Sequence, residues 1–240
     1  MTEADYNQLL IRAGDLTTWV SLVPLLVGWW FRRHWNRPIR MLYAFYVVVF
    51  CLNWFETWFL WYVSKYYETY RPLLEYWEIY DTNFLAILYY FPAFLLLPHF
   101  FVGTLPLRYK KVVLYTAWIL LAAVVINYIF IEGYNTYGHF SPNARTLYIL
   151  IFSGLSLWYI YRDYYNMPVV RNPYFWFHLS LFFPYLTALA QTLFAADLYD
   201  ENFGMYVITN LVHNAVFAIG SVLQVVGYVH LHNARFLTRR

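Results

Sequence analysis

Asn210, His213 and Asn214 stand three and four residues apart in the otherwise apolar stretch ITNLVHNAVFAIG, residues 208–220. That spacing puts all three side chains on one face of a helix. Tyr206, Ser221 and Gln224 continue the stripe at the helical period. A second patch with the same spacing, Asn53, Glu56 and Thr57, interrupts another apolar run. Glu56 and His213 each lie about eight residues from the nearer end of their segment, or ~12 Å at about 1.5 Å per residue. Gln191 and Thr187 enter a third segment at similar depth, and Asn83 a fourth.

Such groups are costly in hydrocarbon unless hydrogen-bonded. Asparagine and histidine often serve only to tie membrane helices together, each bond contributing roughly 1 kcal/mol. Asn210 and Asn214 read first as ties of this kind. An ionisable group at depth is different, because it faces a cavity or a partner and marks a functional site by default. Asn53, Glu56, Thr57, Gln191, Tyr206, Asn210, His213 and Asn214 are therefore the candidate ligand-binding set. The expectation is a pocket lined by Glu56, with the 210–214 face turned toward the helix of Glu56 and His213 meeting its carboxylate.

Other chemistries find little support. His99, His178, His230 and His232 gather toward the opposite end, but no HxxxH or HExxH spacing occurs, so no metal, haem or other cofactor is expected. The lysines are Lys65, Lys110 and Lys111, all in loops or at helix ends, which leaves no buried amine for a Schiff base. Neither a phosphate loop nor a GxSxG nucleophile is found. No catalytic set is predicted.

The elements that must position these residues are membrane helices. Of 240 residues, 62% are hydrophobic, 24% aromatic and only 12% charged, against about 25% charged in soluble domains. Seven segments, at about 14–31, 41–63, 82–104, 112–131, 144–162, 173–196 and 204–231, approach the roughly 20 residues that a bilayer requires. The expected fold is an all-α seven-transmembrane bundle forming a single domain over residues 1–240. The first segment lacks a cleavage site and is read as a retained helix. Cys51 is the sole cysteine, so no disulfide forms within the chain.

Charge sets the orientation. Twelve of the 16 basic residues, including Arg32, Arg33, Arg37, Arg40, Arg108, Lys110, Lys111, Arg162, Arg171, Arg235, Arg239 and Arg240, fall on one side. Arg12, Lys65, Arg71 and Arg145 fall on the other, with 11 acids. The positive-inside rule gives an outside N terminus and an inside C terminus in the cell inner (cytoplasmic) membrane. The net charge of +3 is thus a topology signal, and no nucleic-acid partner is read from it. Inside loops are short and about nine residues follow the seventh segment, so any output is expected to use a cytoplasmic or membrane signalling partner.

Residues 64–81 read as a loop with a short interfacial helix, whose Leu73, Leu74, Trp77 and Tyr80 share a face. Pro24, Pro92, Pro98 and Pro184 predict kinks. WFRRHWNRPIRMLYAFY and YRDYYNMPVVRNPYFWF, about 136 residues apart, echo each other and raise a 3+1+3 parallel repeat as an expectation. ARTLYILIFSGLSLWYIY, RNPYFWFHLSLFFPYL and the Asn210-xxx-Asn214…FAIG pattern resemble an uncharacterised bacterial family of seven-helix integral membrane proteins. The resemblance implies the seven-helix layout and the two asparagines. It implies no activity, and the sequence departs from that family at YWEIYDTNFLAIL and at Tyr206, where histidines would be typical.

Three functions compete: a receptor-like sensor with an outward small-ligand pocket, a small-solute transporter on the 3+1+3 plan, and an intramembrane enzyme or cofactor protein. Glu56, an acidic outer face and many Trp and Tyr rings suit a small cationic or aromatic ligand. The polar stripe thins toward the inside, where the helix of Glu56 offers only Tyr43 and Tyr46. That favours a dead-end pocket.

Overall fold

Hydrocarbon leaves peptide groups to be satisfied by one another, and long apolar segments do so here as helices. The computed structural model describes residues 3–79, 82–133, 139–163 and 168–233. Helices run at α1 Glu3–Trp30, α2 Arg37–Lys65, α3 Tyr67–Tyr76, α4 Ala86–Leu95, α5 Leu97–Thr104, α6 Lys110–Ile126, α7 Phe140–Asp163, α8 Pro173–Glu201 and α9 Phe203–Asn233. No strand occurs among the described residues.

Six stretches are long and apolar enough to cross a membrane: Gln8–Trp30, Arg37–Lys65, Asn83–Thr104, Leu107–Ile131, Pro173–Phe194 and Phe203–Asn233. Helix α7, the expected fifth span at 144–162, is not among them although it has 24 residues. Arg145 and its tyrosines make it less apolar than the six. Its Ser141, Thr146, Ser153 and Ser156 are buried in protein beside Tyr148, Ile149 and Phe152. Its two ends are nevertheless bonded to opposite ends of the bundle. Ser141 accepts from Asn127 at 3.2 Å, and Tyr159 bonds Arg108 and Tyr109 beyond the far end of α5.

These contacts define a basic end and an acidic end. At the basic end His34 meets His232 at 3.1 Å, and the Asn36 amide donates to the Tyr174 hydroxyl. At the acidic end Tyr128 donates to the Phe84 carbonyl. Helix α9 packs along both α8 and α1, α7 lies on α8, and α2 lies on α5. The basic half is filled by rings. Phe100, Phe101, Tyr148, Phe177 and Tyr228 are almost fully buried, and His178 sits among them, 4.7 Å from the Phe100 centroid.

Local chemistry fixes the helix ends. The Asn36 side chain accepts from Ile39 N, the Asn172 side chain accepts from Tyr174 N, and each helix has proline in its first turn. This accounts for the local echo between the two turns. The helices that a 3+1+3 repeat would equate differ, since α9 is continuous while the third segment breaks at Leu96 into α4 and α5. Pro98 lacks the N–H that would bond the Phe94 carbonyl. Pro24 and Pro184 stay inside unbroken helices. Helix α6 ends in a π-turn, Asn127–Ile131, closed by Glu132 N–H to the Asn127 carbonyl at 2.9 Å.

Two glycines permit close crossings. A Cβ on Gly220 would stand 2.7 Å from Pro184 Cγ and 3.1 Å from the Ser180 carbonyl, the carbonyl left without its helical donor by Pro184. One on Gly103 would stand 2.0 Å from Pro38 Cγ. Helix α3 lies in the expected 64–81 stretch but ends at Tyr76, so Trp77 falls past its end and does not extend the face of Leu73 and Leu74; Leu73 and Trp77 are exposed. Tyr80, Arg235, Arg239 and Arg240 lie outside the described residues.

Candidate functional site

Five of the eight candidates line one cavity of about 650 Å³ in the acidic half, between α1, α2 and α9. They are Asn53, Glu56 and Thr57 from α2, and His213 and Asn214 from α9. Helix α1 adds Asp15, Thr17 and Thr18. Trp61 and Phe217 supply aromatic walls. Apart from His213, no basic residue is among its lining.

The Glu56 carboxylate accepts from Thr82 at 2.6 Å on one oxygen and from Tyr89 at 2.7 Å on the other. Those bonds fasten α2 to the start of the broken third segment. Each carboxylate oxygen accepts up to two hydrogen bonds, so capacity for a ligand remains. A first span beginning near residue 14 leaves Asp15 at its margin, which hides it from sequence reasoning. The span starts at Gln8, and this places a second carboxylate on the cavity wall.

The expected contact between His213 and Glu56 does not form. Both groups face the cavity, but His213 Nδ1 bonds the Thr187 hydroxyl of α8 at 2.9 Å. Asn210 likewise turns to α8, accepting from the Gln191 amide while donating to the Tyr206 carbonyl at 2.8 Å. The cause is packing: α9 runs close beside α8 over their common length, whereas α2 leans on α5. The 210–214 face is thus split. Its Asn210 and His213 edge ties α9 to α8, and Asn214 faces the cavity. Tyr206 stacks on Phe203 with centroids 5.9 Å apart and meets Tyr199 edge-on, outside the cavity lining.

Gln191 and His213 also line a second cavity, of about 280 Å³, between the third segment, the π-turn, α7 and α8. Arg145, Thr146, Tyr90, Tyr128 and Glu132 complete much of its wall. In the sequence Arg145 counts only as a topology charge. Its position within ARTLYILIF is the signal that could have singled it out.

Glu132 organises the entry to α7. It accepts the backbone N–H groups of His139 and Phe140, each at 3.0 Å, and the Asn127 amide. Burial pushes its pKa up, but these hydrogen bonds outweigh that and hold it below the usual glutamate value. A depressed folded value means stability that is present above the ordinary glutamate range and lost as pH falls through the lower value. Glu132→Gln is expected to lower stability by about 1 kcal/mol near neutral pH, as for loss of a helix cap. Melting curves of both proteins across the acid range should converge at low pH; a difference that stays constant would remove this role.

In the basic half His178 Nδ1 is buried without a hydrogen-bond partner. His178 Nε2 meets Thr104 at 3.1 Å and His230 stacks on Trp176. Among the described residues, no three His, Cys, Asp or Glu side chains assemble a metal-binding group. No family model, curated protein or solved structure matches the chain.

Proposed function

We propose that the chain is a seven-span protein of the cell inner (cytoplasmic) membrane, N terminus outside, that binds a small organic cation in the α1–α2–α9 cavity and acts as a receptor-like sensor through a partner protein. One observation carries the reading: two carboxylates, Asp15 and Glu56, share a cavity with Trp61 and Phe217 and with no lysine or arginine. Carboxylates select positive charge, and aromatic faces add cation–π attraction of about 0.5–2 kcal/mol. The attachment of α7 at both ends supports its counting as a span. The resemblance to a seven-helix family agrees with that count.

Sensing is preferred to transport because little space lies beyond the cavity toward the basic end. Next to Asn53 and Phe217 a separate hollow of about 20 Å³ is lined by Tyr46, Ser221 and Gln224. The transporter alternative draws on the polar groups that continue past this point, where Tyr46 meets Ser180 at 3.3 Å.

Radiolabelled tryptamine, competed by tetramethylammonium and not by uncharged indole, tests the site on purified protein. Saturable binding is expected; equal competition by indole removes the cation reading. In reconstituted vesicles no accumulation of tryptamine is expected, and accumulation transfers the protein to the transporter class. Asn214→Leu is expected to weaken tryptamine binding about 5-fold while leaving Tm nearly unchanged, because the amide holds no protein hydrogen bond among the described residues. A large fall in Tm with unchanged binding assigns Asn214 to helix tying.

Orientation has its own test. In a Cys51→Ser background, Lys65→Cys should react with an impermeant maleimide in intact cells and Arg33→Cys only after lysis. The reverse pattern inverts the topology.

A further inference from the structure

Arg145 lies five residues into α7, within the expected fifth span. A cation in such a place ordinarily has a carboxylate partner. Arg145 has none: the ion pairs among the described residues are Arg71–Glu75 and Arg162–Asp163. What holds the guanidinium is aromatic. Its carbon stands 5.4 Å from the Tyr90 ring centroid and 5.9 Å from that of Tyr185. Its Nε is buried with no hydrogen-bond partner.

The neighbouring residue repeats the pattern. Thr146 is 0% exposed, and its hydroxyl is also buried without a partner. Both residues line the same cavity of about 280 Å³, together with the Gln191 amide side chain. Leaving a buried donor unmade costs about 1–3 kcal/mol, more for a charged one. Two such donors, both on residues of one cavity wall, mark a candidate site. Glu132, the carboxylate on its wall, is engaged by Asn127 and by the N–H groups that open α7. The N-terminal turn of α7, at Ser141 and Pro142, also faces the cavity and adds the positive end of the helix dipole.

We propose that this second cavity binds a small free carboxylate. Its carboxylate oxygens take the guanidinium of Arg145 and the hydroxyl of Thr146, and its body rests against Tyr90 and Tyr128. Planar guanidinium and carboxylate match in shape as well as charge. The volume lies just below the ~300 Å³ at which larger-ligand pockets begin, which selects an acid of metabolite size. The site is independent of the cation reading of the first cavity, which is lined by carboxylates; only His213 lines both.

The probes are sodium acetate and sodium benzoate, titrated into purified detergent-solubilised protein at constant ionic strength against sodium chloride. The expected result is a saturable rise in Tm with at least one carboxylate and none with chloride. Arg145→Gln should weaken that response by about 100-fold and Thr146→Val by about 5-fold. Thr146→Val keeps shape and removes no protein hydrogen bond, so it tests the site even if Arg145→Gln folds poorly. The lipid arm compares nanodiscs of phosphatidylglycerol with nanodiscs of phosphatidylcholine. Arg145-dependent stabilisation by phosphatidylglycerol, with no response to either carboxylate, assigns the charge to a headgroup and overturns the proposal. A flat carboxylate response in every form of the protein overturns it as well, leaving Arg145 a cation held by its two tyrosines.

Discussion

Gly103→Ala is expected to prevent recovery of folded protein, or to lower its stability by ~3 kcal/mol or more, the upper part of the range for overpacking. The added methyl would stand 2.0 Å from Pro38 Cγ and 2.7 Å from Pro38 Cβ. Neither side can yield easily. Pro38 is a rigid ring in the first turn of α2, fixed by the Asn36 cap, and Gly103 follows the buried Phe100 and Phe101 in α5. Relief therefore requires moving one helix from the other, which opens the packing around Ile39 and Leu42. Against a typical total of about 5–15 kcal/mol, that is a large share. Gly14→Ala is the control, since nothing lies within 4 Å of its added carbon; alanine there should hold or raise Tm. Yield of monodisperse protein and Tm in detergent are the measurements. Equal behaviour of the two variants would mean that α2 and α5 do not cross at Pro38.

Glu56→Gln is expected to weaken tryptamine binding by about 10- to 100-fold, the loss of a partly desolvated charge pair, roughly 1.4–2.7 kcal/mol. Glutamine preserves shape and still accepts from one of the two hydroxyls, and the other can turn to accept from the amide. The fold should therefore survive. Asp15→Asn serves as companion. If both carboxylates face one bound cation, each single change weakens binding and the double change weakens it by less than their product. Unchanged affinity in Glu56→Gln with a fall in Tm would confine Glu56 to its bonds with Thr82 and Tyr89. The charge would then be structural, and the cavity would lose its main selector.

What the sequence determined by itself is whatever follows from local chemistry and from the solvent. A chain 62% hydrophobic and 12% charged, with apolar runs near the roughly 20 residues of a spanning helix, satisfies its peptide groups as helix where lipid surrounds it. Asn36 and Asn172 start helices wherever they are placed, since capping involves only the next few residues. The short helix α3 after α2 and the break near Pro98 are local in the same sense. The polar patches of α2 and α9 also came together in one cavity, because equal depth in a bilayer is a coordinate that sequence reveals.

Rotation about the helix axis is not such a coordinate. Polar spacing places Asn210, His213 and Asn214 on a common face, but the neighbour of that face depends on which helix lies closest. Tertiary packing set α9 against α8, so His213 bonds Thr187 and Asn210 bonds Gln191, while Glu56 turned to Thr82 and Tyr89. Asp15 and Arg145 read in the sequence as charges of the flanks, because charge counting weighs side and not surroundings. Only the assembled bundle puts Asp15 and Glu56 on the wall of one cavity and sets Arg145 against Tyr90 and Tyr185. For the same reason only the fold shows that the serines and threonine of α7 are buried against its neighbours, since burial is not a property of sequence.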